Sequence, residues 1–220
     1  MRASGRRGRL LVVAGVALLV AGLGLGGWLG WQLWGTTWVA ERRHADLTAE
    51  LERGWGDGRD AVETEHGTAT AVLRVPRFGA DFAVPVLEGD SDEVLASGVG
   101  HLSGTAAAGQ PGNYVVAGHR VTHGEPFARL RDLRAGDEVH VATREATWVY
   151  RLDTDGGALV VPFTADWVLA PRPTHPDGGV QPPADAPDQL ITLVTCSEIF
   201  HTDDRDVVFG HLVDRLPSAG

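Results

Sequence analysis

Cys196 is the one cysteine in a chain of 220 residues. It can form no disulfide within the chain and belongs to no multi-cysteine metal site. A lone thiol is either buried filler or a nucleophile, and its surroundings decide which. Cys196 closes the apolar run 190–195 (LITLVT), His119 closes the run 113–118 (NYVVAG), and Arg205 opens the run that follows Cys196. Three strand ends can gather thiol, imidazole and guanidinium even though His119 and Cys196 lie far apart in sequence. A thiol nucleophile needs a base or a cationic neighbour to supply thiolate, and acyl transfer needs a donor for the developing oxyanion. Arg205, charged at every relevant pH, suits the donor's task.

Other chemistries have weaker support. His119 and His123 stand four apart, but His-Arg-Val-Thr-His lacks the Glu that would activate a zinc-bound water. Gly98-Val99-Gly100 opens no convincing helix, and no phosphate-cradling loop of the Walker type is present. Asp203, Asp204 and Asp206 read as a solvated turn in preference to a calcium site.

Elements that could position the three residues are mostly short strands. Residues 71–75 and 82–87 form a hairpin pattern turning near 78–81, and Ser91 caps one or two helical turns. The run 113–117 has the continuous apolar character of a buried strand. A short helix is expected over 125–133, strands over 137–142 and 147–152, and a helical turn over 162–169. Residues 171–189, rich in Pro and Gly, read as a long surface loop, and 189–195 and 206–212 as the last strands. There is no internal repeat. Many short strands separated by turn residues predict a closed or nearly closed β-barrel or sandwich.

The N-terminus has a different character. Arg2, Arg6, Arg7 and Arg9 precede residues 10–34, where Gln32 is the only clearly polar side chain and Trp28, Trp31 and Trp34 gather at the far end. About 20 apolar residues span a bilayer, arginines stay cytoplasmic, and tryptophans favour the interface. A cleaved secretory signal fits less well, because the apolar run is too long and Trp38 stands where a small residue belongs. The expectation is a cytoplasmic tail over 1–9, a membrane-spanning anchor over 10–34, and everything beyond it outside. Residues 35–68, charged and without a sustained apolar face, read as a solvated stalk. The globular domain is expected over 69–216, with a short tail over 217–220. The net charge of −10 becomes −14 once the four tail arginines are set aside. That acidity argues against nucleic acid as a partner.

At the motif level, Thr192-Leu193-Val194-Thr195-Cys196, with Arg205 nine positions on, resembles the TLxTC…R signature of sortases. Gly112-Asn113-Tyr114-Val115-Val116-Ala117-Gly118-His119-Arg120 is similar to the sortase strand that delivers the catalytic histidine. Gly104-Thr105-Ala106, the short interval from Cys to Arg and the absence of lysine look most like the class E enzymes of actinobacteria. The resemblance covers about residues 69–216. It implies a mainly β fold, an eight-stranded closed barrel with short helices behind one transmembrane helix. It also implies a cysteine transpeptidase that cuts an LAxTG- or LPxTG-like C-terminal sorting signal between Thr and Gly. On that likeness Cys196 is the nucleophile, His119 the acid/base and Arg205 the group that holds substrate and oxyanion, with Thr195 positioning the acyl group. No metal or organic cofactor is implied.

The implied partners are secreted proteins bearing the signal and the amine of a peptidoglycan precursor. Leu102 stands where class E enzymes usually have Tyr, so a preference for Ala over Pro in the signal does not carry over. Other exported transpeptidases fit less well. An L,D-transpeptidase has its Arg two positions after a Gly-Cys pair, and a papain-like hydrolase has Cys before His. A catalytically inactive, membrane-anchored binding or pilus-assembly scaffold is the alternative from another class.

Overall fold

The computed structural model describes residues 4–30, 36–120, 124–195 and 204–218, with backbone alone at 4–11, 14, 29–30 and 36–38. Two helices, α1 (Ser4–Gly30) and α2 (Thr36–Gly56), precede the first strands, β1 (Val62–Thr64), β2 (Gly67–Arg74) and β3 (Val84–Glu88). Helix α3 (Asp92–Ser97) leads to β4 (Val99–His101) and β5 (Gly112–Gly118). Then come β6 (Glu138–Ala142), β7 (Ala146–Leu152), β8 (Leu159–Pro162), β9 (Gln189–Thr195) and β10 (Asp204–Pro217).

Hydrogen bonding runs β2-β3-β4-β5-β9-β10-β7-β6, and β6 pairs back onto β2. Eight strands therefore close a barrel, with β1 added to β2 and β8 to β10 outside the ring. Closure removes the exposed edges that an open sheet would present. Side chains alternating along the strands fill the interior, among them Leu73, Val86, Val116, Tyr150, Ile191, Leu193 and Val208. The opposite face of β5, β9 and β10 is also covered. Val115, Ala117, Val194, Val207 and Phe209 pack there against Leu95, Leu102, Leu159, Val161 and Val168. Burial on both faces explains why 113–118 and 190–195 read as unbroken apolar runs, and the two strands pair in parallel.

Several local expectations match. The hairpin over 71–87 is β2 and β3, antiparallel, and Ser91 Oγ accepts the Val94 N–H at 3.4 Å as the cap of α3. The helix expected over 125–133 is a turn-rich segment with only one 3₁₀ turn, Leu130–Asp132. Its Pro126 and left-handed Glu125 (φ 48°) interrupt helical geometry. The helical turn expected over 162–169 is a 3₁₀ turn at Asp166–Leu169, and Pro162 instead ends strand β8.

The stalk expected over 35–68 needs correction. Residues 36–56 form α2, whose Leu51 and Trp55 pack with Val62, Ala69, Val72, Leu87 and Val94 on the outside of the barrel. Arg74 of β2 donates to Glu52 of α2 at 2.6 Å. Among the described residues, no helix is long and apolar enough to cross a membrane. The segment expected to span, 10–34, lies partly outside that set.

Candidate active site

His119 follows the last residue of β5, and Cys196 follows the last residue of β9. Gly118 and Thr195 are register partners in the parallel β5–β9 pair. The two strands thus end side by side at one rim of the barrel. Val207 of β10 pairs with Val194 on the other side of β9, so Arg205 reaches the same rim. Alternation gives His119 the face of Val115 and Ala117, and Arg205 the face of Val207 and Phe209. That is the outer face, in the cluster that also holds Leu102. Cys196 itself lies outside the described residues, as does His123.

The surroundings fix His119 from behind. Its carbonyl accepts the Phe127 N–H at 3.0 Å. The fully buried Phe127 ring lies against Gly118, where an added Cβ would stand 2.8 Å from Cδ2. Gly118 is thus needed for close packing immediately before the histidine. Further along, Gly124 takes φ +79° and packs against His44 and Ala40 of α2. Helix α2 therefore braces the segment that follows His119.

Arg205 is half-buried, and its Nε is buried with no hydrogen-bond partner among the described residues. An unpaired guanidinium N–H is costly unless a substrate oxygen completes it. Thr195 is buried, and its Oγ1 accepts the Asp206 N–H at 2.9 Å, so the hydroxyl is committed to the backbone. Leu102 is 7% exposed, and its N–H donates to the Val115 carbonyl at 3.0 Å. It belongs to the packed layer beneath this face.

Asp206 departs from expectation. It reads as part of a solvated turn, yet it is 2% exposed, because it shares the inward parity of Val208. Its carboxylate accepts from Arg131 Nε at 3.0 Å, Arg131 Nη2 at 2.9 Å and Arg120 Nη1 at 3.2 Å. The hydrogen bond and charge of Asp206 raise the Arg131 pKa above its ordinary value. Residue type points away from burial here. Only the alternation of 206 with 205 and 207 could have signalled it. Among the described residues, no cluster of His, Cys, Asp and Glu is arranged to hold a metal. A cavity of about 370 Å³ lies elsewhere, lined by residues including Glu88, His101, Tyr114 and Trp148 but not by His119, Thr195 or Arg205.

A barrel in which β5, β9 and β10 bring His119, Thr195 and Arg205 to one rim is matched over residues 73–213 by the family model described as Sortase domain. The chain belongs to the sortase family. This sortase is 32% identical over 221 residues to sortase SrtE1 of Streptomyces coelicolor, an alignment covering 96% of the chain and 57% of that relative. The chain therefore spans little more than half the length of that curated relative. The structure of sortase E from Streptomyces avermitilis superposes with TM-score 0.59 at 36% identity, covering 70% of this chain and 93% of that one. The crystal structure of Sortase E1 from Streptomyces coelicolor with a tripeptide in the active site gives TM-score 0.56 at 30% identity, with 71% and 94% covered. These likenesses place the sortase with class E relatives.

Proposed function

We propose that this sortase is a membrane-anchored cysteine transpeptidase acting on proteins with an LAxTG- or LPxTG-like C-terminal sorting signal. The observation that carries the reading is the register Gly118 to Thr195, which ends the histidine and cysteine strands side by side, with Arg205 beside them bearing an unpaired buried N–H.

In the first half-reaction the Cys196 thiolate attacks the threonyl carbonyl. Arg205 donates to the developing oxyanion, the C–N bond to glycine breaks, and imidazolium at His119 gives its proton to the departing amine. In the second half-reaction an amine attacks the thioester, His119 takes a proton from it, and Cys196 leaves as thiolate. A peptidoglycan-precursor amine is the acceptor suited to an enzyme held at the outer membrane surface. The tripeptide in the active site of the Streptomyces coelicolor structure supports a peptide substrate.

The anchor rests on the sequence, an apolar stretch over 10–34 behind four arginines. Helix α1 has 27 residues and carries exposed Val12, Val16, Leu19, Val20, Leu23 and Trp28.

The test is mass spectrometry of the full chain incubated with LPxTG and LAxTG peptides in parallel. A thioacyl adduct on Cys196 that is absent in Cys196→Ala is expected, and the stronger peptide sets the preference. No adduct with either peptide would favour the inactive scaffold.

A further inference from the structure

We propose that Asp206 is a positioning residue for transpeptidation, binding into one unit the neighbours of all three catalytic side chains. This rests on the assignment of Cys196, His119 and Arg205 above. Asp206 follows Arg205 directly. Its N–H is held by the Thr195 hydroxyl, one residue before Cys196. Its carboxylate holds Arg120, one residue after His119. Its remaining bonds go to Arg131, in the 3₁₀ turn Leu130–Asp132. That turn continues from Phe127, whose N–H grips the His119 carbonyl. The side chain thus touches none of the reacting atoms, yet each of its contacts ends one residue away from a residue that does, or on the segment that holds one.

Burial makes the arrangement demanding. A carboxylate that is 2% exposed must be matched by charged donors, and apolar residues in place of a buried ion pair are often as stable. Such a network suits the fixing of geometry better than the addition of stability. Three residues on three strands must hold their separation to about 0.5 Å for chemistry, and ~1 Å of misplacement costs on the order of 100-fold. Arg120 and Arg131 converging on the carboxylate, with the Thr195 hydroxyl on the backbone N–H of the same residue, restrict sliding of β10 against both β5 and β9 at the rim.

The experiment uses the full chain in detergent, with Asp206→Asn, Asp206→Glu and Arg120→Gln beside wild type. Alkylation of Cys196 by iodoacetamide is followed against pH, because it reads the thiol without any sorting signal. Peptide transfer gives kcat and KM separately.

In wild type the alkylation profile is expected to show an inflection that His119→Ala removes. Its absence would overturn the catalytic assignment itself. Asp206→Asn is expected to shift that inflection and to lower kcat about 10- to 100-fold with KM within about threefold, the signature of misplacement. Asp206→Glu, which keeps the charge, should recover part of kcat. If Asp206→Asn does not fold, Arg120→Gln decides, since Arg120 is partly exposed and its loss frees only the link to His119. A lowered kcat with an unchanged melting temperature supports the proposal. A wild-type inflection together with unchanged kcat in the folded variant would overturn it while leaving the sortase chemistry intact.

Discussion

Arg205 carries a buried Nε–H with no acceptor among the described residues, at the rim where β5 and β9 end. If that N–H is completed by substrate, Arg205→Lys keeps the charge but loses the planar fork, and kcat/KM for a sorting-signal peptide should fall on the order of 100- to 1000-fold. Lys activity within a factor of about three of wild type would mean that a point charge suffices. Gly118→Ala tests the support of the histidine. Its Cβ would meet the Phe127 ring, so the strand or the ring must yield just before His119. Activity is expected to fall further than the melting temperature suggests, and a variant with full activity would show that the rim tolerates the shift. Cys196, His119 and Arg205 stand out in the sequence because residue type itself writes the chemistry of thiol, imidazole and guanidinium, and the structure adds that His119 and Arg205 lie at the rim where β9 ends. Asp206 was not, because an aspartate among aspartates looks solvated and its burial comes only from the closed barrel. Leu102, marked by likeness to a Tyr position, proves to be part of the packed outer layer.

Helix α2 shows what sequence pattern conceals at the scale of elements. Its buried face is built from Ala40, His44, Thr48, Leu51 and Trp55, three of them small or polar, so no apolar stripe stands out. Strands β1, β4 and β8, with 3, 3 and 4 residues, are too short to show an alternation. By contrast, the doubly covered β5 and β9 announced themselves. The polar face of α2 has a consequence for acid stability. Burial holds the His44 pKa down at about 4. An unfolded chain takes up that proton near pH 6.5, while the folded chain resists until about pH 4. Stability is therefore full above pH 6.5 and falls on acidification by about 3 kcal/mol across that window. Glu88 is held below its ordinary value mainly by its hydrogen bond to His101, so its contribution is lost only at lower pH. His44→Leu should flatten urea-derived stability between pH 6.5 and 4. An unchanged slope would place the acid sensitivity elsewhere.

For the whole molecule, eight-stranded closure was implied by the likeness to sortases, while composition alone reached only as far as a barrel or sandwich. The pairing of β6 with β2 is the step that separates the two, and it joins residues near 72–74 and 140–142 that no local pattern connects. Docking of α2 also changes the link between the apolar N-terminal helix and the barrel. Residues 36–56 lie in a helix whose length packs on the catalytic domain, so residues 31–35 alone separate α1 from α2. With the anchor proposed above, so short a link would confine the rim to a thin layer at the membrane and raise the effective concentration of substrates held there. The orientation proposed for that anchor rests on Arg2, Arg6, Arg7 and Arg9, which favour a cytoplasmic N-terminus. Since Cys196 is the sole thiol of the chain, it reports the sidedness directly. A membrane-impermeant maleimide applied to intact cells should label the full-length protein without permeabilisation, and Cys196→Ala should abolish the signal. Exchanging the four arginines for glutamines should reduce outside labelling while the total protein in the membrane fraction remains. Labelling that appears only after permeabilisation would put the catalytic rim on the wrong side for any cell-wall acceptor. Both the anchor orientation and the proposed acceptor would then have to be abandoned together.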